Sequence, residues 1–201
     1  MFTGLIEATG RVAALQAAEG SRHLRIDTAM GAELRLGESI AVNGVCLTVT
    51  MADARGFSVD VSPETLRVTT FAFMAEGRVV NLERPLKSDS RVGGHFVLGH
   101  VDAVGRVSVL RPDAGAYWLE IEFPKLLTPL LIPKGSIAVD GISLTVAALW
   151  PHRCGIQIVP FTWQHTNLAH LIAGDQVNLE GDVLGKYVAR SLETRGVIQT
   201  S

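Results

Sequence analysis

Thiol, hydroxyl and imidazole groups recur at matching places in this chain of 201 residues. Cys46 and Thr48 stand two apart, and Ser143 and Thr145 repeat that spacing 97 positions later. Residues two apart on a strand share a face, so each pair sets an SH or OH beside a second OH. Such a wall can hydrogen-bond a polar ligand, and its thiol or hydroxyl can serve as a nucleophile. The plainer reading is a small, half-buried side chain filling a barrel, with Thr present as a good strand former. Residue type and spacing leave both open. No Ser-His-Asp or Cys-His-Asn order accompanies them, which argues against a hydrolase.

GGHFVLGHVD (93–102) contributes His95 and His100. Their spacing of five puts them on opposite faces of a strand, against a shared metal. The run is glycine-rich but lacks the GK[ST] of a phosphate loop. His100 stands where Leu5 stands in a matching earlier stretch, GLIEATGRV (4–12) against GHVDAVGRV (99–107). An imidazole there is either a satisfied structural group or a titratable one with work to do. Asn43 and Asp140 are ordinary turn residues, yet only one of them ionises, and Glu64 against Phe161 is a further asymmetry. His23, His152, His165, His170 and Cys154 form no pattern that suggests chemistry.

The elements that position these groups are themselves repeated. SIAVNGVCLTV (39–49) returns as SIAVDGISLTV (136–146) with eight of eleven residues identical. SVDVSPET (58–65) answers GIQIVPFT (155–162), and VNLE occurs at 80–83 and 177–180. Four blocks in one order identify a duplicated domain, the period being too long for a solenoid unit. The offset is 95 in the first block and 97 in the others, which predicts two extra residues in the second copy, in the turn RPDAGA (111–116). Runs such as SIAV, CLTVT, FSVDV and QVNLE are short and rich in β-branched residues, the pattern of strands. Asn43-Gly44 and Asp140-Gly141 are hairpin signals of the type I′ kind. ETLRVTTF (64–71) and WQHTNLAHLI (163–172) have the spacing of short helices behind a proline. About six strands and one helix in under roughly 100 residues predict a small closed barrel in each copy. RPLKSDSRVGG (84–94) reads as the linker. In the tail, Leu184, Tyr187 or Val188, and Leu192 recur at helical spacing, with Gly196 placed to end the helix. A lone helix of this length is marginal in water, so it packs on its own barrel or on other copies of the chain.

Composition excludes several classes. A net charge of −2 with scattered Lys and Arg offers nothing to nucleic acid or an anionic membrane, and no apolar run reaches a membrane span. MFTGLIEATG lacks the basic and apolar blocks of a signal peptide. Two cysteines cannot make a disulfide framework, so a cytoplasmic setting is expected. Two related pockets suit two copies of one ligand, with the differences between copies assigning them different roles.

MFTGLIE at the start, NGVCLTV (43–49), GGHFVLGHVD (93–102) and DGISLTV (140–146) together resemble the riboflavin synthase family of the heavy-chain or α type. The resemblance runs over the whole chain in the family's order. It implies an all-β fold of two tandem six-stranded Greek-key barrels, each with a short helix, plus a C-terminal α-helix. The implied division is a lumazine-binding barrel over 1–97, a second over 98–184, and a trimerisation helix and tail over 185–201. The implied reaction is a dismutation. Two molecules of 6,7-dimethyl-8-ribityllumazine exchange a four-carbon unit to give riboflavin and 5-amino-6-ribitylamino-pyrimidinedione, without metal or external cofactor. The implied assembly is a homotrimer with sites between the N-barrel of one subunit and the C-barrel of another, and lumazine synthase is a candidate partner.

Carried over by motif, the N-barrel pocket involves Gly4, Leu5, Ile6, Cys46, Leu47, Thr48, Asp60, Val61, Ser62, Pro63, Glu64 and Thr65. The C-barrel pocket involves Gly99, His100, Val101, Lys134, Ser143, Leu144, Thr145, Ile158, Val159, Pro160, Phe161, Thr162 and Trp163. The polar catalytic candidates are Ser39, Cys46, His100, Asp140 and Ser143. Phe161 departs from the family, whose members often carry a polar residue there. On this reading His100 takes a proton from the acidic C7 methyl of one lumazine. Water, Cys46 or Ser143 adds to C7 of the other, and Asp140 orients that partner. The rivals are a lumazine-binding protein without catalysis, which shares the double barrel, and a purely structural duplicated barrel.

Overall fold

The structure is a computed structural model that describes residues 1–195. Six strands form the first barrel: β1 (Ala8–Ala18), β2 (Ser21–Asp27), β3 (Ser39–Val42), β4 (Val45–Asp53), β5 (Gly56–Val61) and β6 (Val79–Glu83). They close in the order β1-β2-β5-β4-β3-β6, every pair antiparallel. The second barrel repeats this order with β7 (Ala103–Asp113), β8 (Ala116–Glu122), β9 (Ser136–Val139), β10 (Ile142–Trp150), β11 (Arg153–Ile158) and β12 (Gln176–Gly181). Strand alternation fills each interior. Leu24 and Ile26 with Val59 and Val61 line the first, and Leu119 and Ile121 with Ile156 and Ile158 the second, all of them buried. Register shifts at Val12/Ala14 and Val49/Met51 recur at Val107/Val109 and Val146/Ala148. Such bulges coil the strands enough to close a small barrel.

The two β-hairpins predicted from Asn-Gly and Asp-Gly are present, with φ of 44° and 73° at Asn43 and Gly44 and of 44° and 80° at Asp140 and Gly141. Their tips meet. A Cβ on Gly44 would lie 2.6 Å from the Gly141 nitrogen, and one on Gly141 would lie 2.7 Å from the Gly44 nitrogen. This reciprocity marks a pseudo-twofold axis between the barrels. Phe2 and Val97 form an antiparallel bridge beside it, and with Ala41 and Ala138 make a small third core.

Three expectations change. The two helical stretches are each broken in two: α1 (Pro63–Val68) precedes a 3₁₀ turn at Thr70–Phe73, and α2 (Pro160–Gln164) one at Asn167–His170. Thr69 and Thr166 are extended at the breaks, each hydroxyl donating 2.7 Å back to the carbonyl of Thr65 or Thr162 and accepting from the next turn. The two extra residues are not at 111–116, because Ala18–Ser21 and Asp113–Ala116 close hairpins of equal length. They lie between β8 and β9, where a 3₁₀ segment spans Lys125–Leu130 against Ala29–Glu33 in the first copy. The longer segment supports the C-terminal helix α3 (Val183–Thr194), since Gly181 and Gly185 both face Leu130. Leu184, Tyr187 and Val188 remain exposed on α3. Gly196 lies outside the described residues. Among the described residues no helix is long and apolar enough to cross a membrane.

The seam separates two costs of adding a Cβ. Gly37 (φ 82°) has open space around it, whereas Gly44 faces backbone. Gly37→Ala is expected to lower stability by about 1–2 kcal/mol, the left-handed cost alone. Gly44→Ala is expected to cost at least twice that in urea unfolding, because the hairpin tips have to separate.

Candidate active site

Two segments cross between the barrels and decide what each site contains. Glu83, at the end of β6, accepts from the amides of Thr3 (2.7 Å) and Gly4 (3.0 Å) and from the Thr3 hydroxyl (2.8 Å). Glu180 on β12 accepts from the amides of Leu98 (2.7 Å), Gly99 (3.0 Å) and His100 (2.9 Å). Burial pushes both carboxyls up, and the amide hydrogen bonds oppose it. Anchored on its own barrel, each segment then reaches the other. Ser143 N donates to Gly4 O (2.8 Å), and Cys46 N donates to Gly99 O (2.9 Å). Ile6 packs on the core of the second barrel and Val101 on that of the first.

This exchanges the groups that the motif resemblance implies. Gly4, Leu5 and Ile6 were grouped with Cys46, but they lie with Ser143. Gly99, His100 and Val101 were grouped with Ser143, but they lie with Cys46. The cause is local backbone. Gly4 and Gly99, with φ of 75° and 77°, turn each segment over the neighbouring hairpin, so closely that a Cβ would stand 2.6 Å from that of Ser143 or Cys46.

In the first site Cys46 is half-buried and Thr48 is exposed opposite its cross-strand partner Ser39, while Leu47 points into the barrel. Among the described residues no hydrogen bond reaches the Cys46 thiol. His100 is exposed, its ring likewise without a hydrogen bond among them. Val61 is buried, whereas Asp60, Ser62, Pro63 and Glu64 face out. The Asp60 carboxylate lies 2.7 Å from His23 on β2. Ser62 caps α1 by accepting from Thr65 N (3.2 Å). Glu64 pairs with Arg67 at 2.6 Å, which holds its carboxyl below the usual range.

In the second site Ser143 is half-buried, Thr145 is exposed, and Leu144 points inward. His95 Nδ1 lies 2.7 Å from Ser143 Oγ, and burial pushes this imidazole below its ordinary value. Ile158 is buried, Val159 and Pro160 are exposed, and Thr162 and Trp163 are half-buried. Trp163 stacks on Tyr117 (3.8 Å between centroids), and the exposed Phe161 on His165 (4.1 Å). Lys134 is exposed with φ 66°, a left-handed conformation that Gly37 holds in the first copy. No group of three or more His, Cys, Asp or Glu among the described residues is spaced to hold a metal.

Asp140 sits apart from both pairs. It is buried in the seam, where Oδ1 accepts from Asn178 N (2.8 Å) and Oδ2 from Asn167 Nδ2 (2.8 Å). Asn43 Oδ1 likewise accepts from Asn81 N (2.7 Å). Asn81 Nδ2 donates to Asp140 O (3.0 Å), and Asn178 Nδ2 to Asn43 O (2.9 Å). With both oxygens engaged here, Asp140 is not placed to orient a reaction partner at Cys46 or Ser143. A cleft of about 480 Å³ opens on this network, ringed by Arg11, Arg78 and Arg106. Another of about 740 Å³ lies under the linker. Neither contains Cys46, Ser143, His95 or His100. The sequence offered no role for Asn81, Glu83, Asn178 and Glu180, whose signal was the repeated VNLE, and His95 was weighed only as a metal ligand, its further signal being its place in the glycine-rich GGH run.

Twin closed barrels, with a polar face on each seam hairpin covered by a segment from the other half, define a tandem-barrel ligand-binding protein. The lumazine binding domain profile matches residues 3–85 and 98–182. The riboflavin synthase of Bacillus subtilis is 40% identical over 193 residues, which is 96% of this chain and 90% of that one. The riboflavin synthase of Mycobacterium tuberculosis is 41% identical over 201 residues, 98% of this chain and 100% of that one. Among solved structures, LumP complexed with riboflavin superposes with a TM-score of 0.85 at 23% identity, covering 90% of this chain and 99% of that one. LumP complexed with 6,7-dimethyl-8-(1'-D-ribityl) lumazine gives 0.82 at 22%, with the same coverage. The chain belongs to the lumazine-binding domain family and, within it, to the riboflavin synthases.

Burial raises the Asp140 carboxyl from 3.8 to about 6. A raised carboxyl stabilises the fold most when protonated, below about pH 4, and that contribution falls as pH rises through 6, by about 3 kcal/mol. Asp140→Asn combined with Asn167→Thr, which copies Asn43 and Thr70 into the second half, removes this loss. Relative to the native chain, the double variant is expected to gain stability between pH 4 and 7 in urea unfolding.

Proposed function

We propose that this chain converts two molecules of 6,7-dimethyl-8-ribityllumazine into riboflavin and 5-amino-6-ribitylamino-pyrimidinedione, moving a four-carbon unit from one to the other. The carrying observation is the crossed pair of sites. They share a backbone plan but hold different groups, Cys46 with His100 in one and Ser143 with His95 in the other. Identical ligands in unlike surroundings suit a reaction in which one gives and the other receives. The exposed His100 imidazole takes the proton from the C7 methyl, whose carbanion the ring delocalises. Water, Cys46 or Ser143 adds at C7 of the second molecule. Ser39, Thr48 and Thr145 hydrogen-bond the ligands, and the stretches 60–65 and 158–163, with Lys134, bind their remaining parts. Holding two planar rings in register supplies much of the acceleration, since effective molarities of about 10⁵ M or more are attainable. The scheme uses no metal or external cofactor.

The assembly on this reading is a trimer whose contacts include α3, supported by the exposure of Leu184, Tyr187 and Val188. The pairing of an N-barrel with the C-barrel of another subunit completes the reacting pair. Both cysteines are free, in keeping with a cytoplasmic setting. Lumazine synthase, which supplies the substrate, is the further partner on this reading.

Incubation with 6,7-dimethyl-8-ribityllumazine is expected to yield riboflavin absorbance, with two ligands bound per chain at saturation. Binding without conversion contradicts the enzyme reading in favour of a carrier. His100→Ala is expected to slow turnover and alter the acid limb of the pH–rate profile. An unaltered profile removes His100 as the base.

A further inference from the structure

We propose that His95 is the positioning residue of the second site, its Nδ1–H holding the Ser143 oxygen so that the Ser143 hydroxyl proton is offered to an acceptor atom of the bound heterocycle. This rests on the functional reading above and assigns a group that the repeat does not cover and to which the GGHFVLGHVD motif gave no role.

The contact itself is short, 2.7 Å between His95 Nδ1 and Ser143 Oγ. Its direction follows from the other ring nitrogen. His95 is buried, and Nε2 is closed off with no protein partner among the described residues. A buried N–H without an acceptor is costlier than a bare ring nitrogen, so the proton belongs on Nδ1. Nδ1 then donates and Ser143 Oγ accepts, which leaves the serine O–H for another acceptor. Ser143 Oγ has no second hydrogen-bond partner among the described residues.

Both partners are pinned. His95 N donates to Thr3 O (3.1 Å), and Ser143 N donates to Gly4 O (2.8 Å). The preceding Gly94 lies so close that a Cβ would strike the Thr3 carbonyl and stand 2.9 Å from Ser143 Oγ. The serine oxygen is therefore fixed in place, and only its hydrogen turns. The first site has no such arrangement, because the Cys46 thiol is a weak donor and nothing among the described residues bonds it. One site thus offers a fixed hydroxyl donor and the other an adaptable thiol. The second site accordingly takes a planar ligand presenting a ring nitrogen or carbonyl oxygen to that hydroxyl.

The test is a double-mutant cycle on lumazine conversion by the full-length protein, with imidazole ¹⁵N NMR of His95. His95→Ala is expected to lower kcat about tenfold, the worth of one well-placed hydrogen bond. His95→Asn, whose amide superposes on Nδ1, is expected to restore most of it, and His95→Gln, which reaches toward Nε2, is not. In a Ser143→Ala background, His95→Ala is expected to add no further loss, and the NMR to show the Nδ1–H tautomer. The proposal is overturned if His95→Ala slows Ser143→Ala by another tenfold, if the Asn and Gln variants are equally impaired, or if the proton resides on Nε2. Should the alanine variant not fold, the Asn–Gln contrast and the tautomer decide. A native chain that forms no riboflavin overturns the functional reading instead, and the tautomer still tests the contact.

Discussion

Two β-turns approach so closely at the centre of this molecule that only glycine fits on either side. Gly44 and Gly141 place backbone against backbone, and the polar groups this buries are satisfied across the axis. Asn81 and Asn178 each donate a side-chain amide to the carbonyl of the opposite turn, at Asp140 and Asn43. A buried polar network of this kind stabilises only if every member is paired. Here it fixes the orientation of one barrel on the other. Arg78 and Asp175, equivalent positions in the two copies, add an ion pair over the same seam at 3.6 Å.

That fixed orientation makes the crossing segments possible. Residues 2–6 and 97–101 leave the seam side by side, braced by Glu83 and Glu180, and each covers the hairpin of the other barrel. Neither site is complete within its own repeat. The duplication therefore did more than double a pocket. It exchanged the covers, so a substitution in one copy alters the site of the other. His100, which replaces Leu5 in the copy comparison, consequently stands over the barrel that carries Cys46.

Symmetry in the backbone leaves room for differences in side chains. Thr70 and Asn167 are equivalent, and only Asn167 reaches the Asp140 carboxylate. Lys134 occupies a left-handed position held by Gly37 in the first copy, a conformation that strains a side-chain-bearing residue. The longer β8–β9 connection underlies α3, which has no counterpart in the first half.

The duplication, the hairpin turns, the closed barrels and the shared face of Cys46 with Thr48 were all legible in the sequence, because each rests on local periodicity or turn chemistry. The crossing was not. A period of two tells which face a residue takes but not which barrel lies beyond it, and the motif resemblance places Ile6 and Val101 each with its own copy, whereas they pack on the opposite barrels. RPDAGA has the composition of an enlarged turn, yet Ala114 and Gly115 close it as tightly as Glu19 and Gly20 close its equivalent. Asp140 read as a turn residue with a spare charge, and only the packed seam reveals two amides consuming it. His95 stood outside every aligned block, where no comparison between copies could weigh it. The most direct measurement of the exchanged covers is a structure with an unreactive lumazine analogue in both barrels. The account requires the first-barrel ligand to touch Val101 beside Cys46, and the second-barrel ligand to touch Ile6 beside Ser143. A first-barrel ligand seated instead against Leu5 and Ile6 contradicts it.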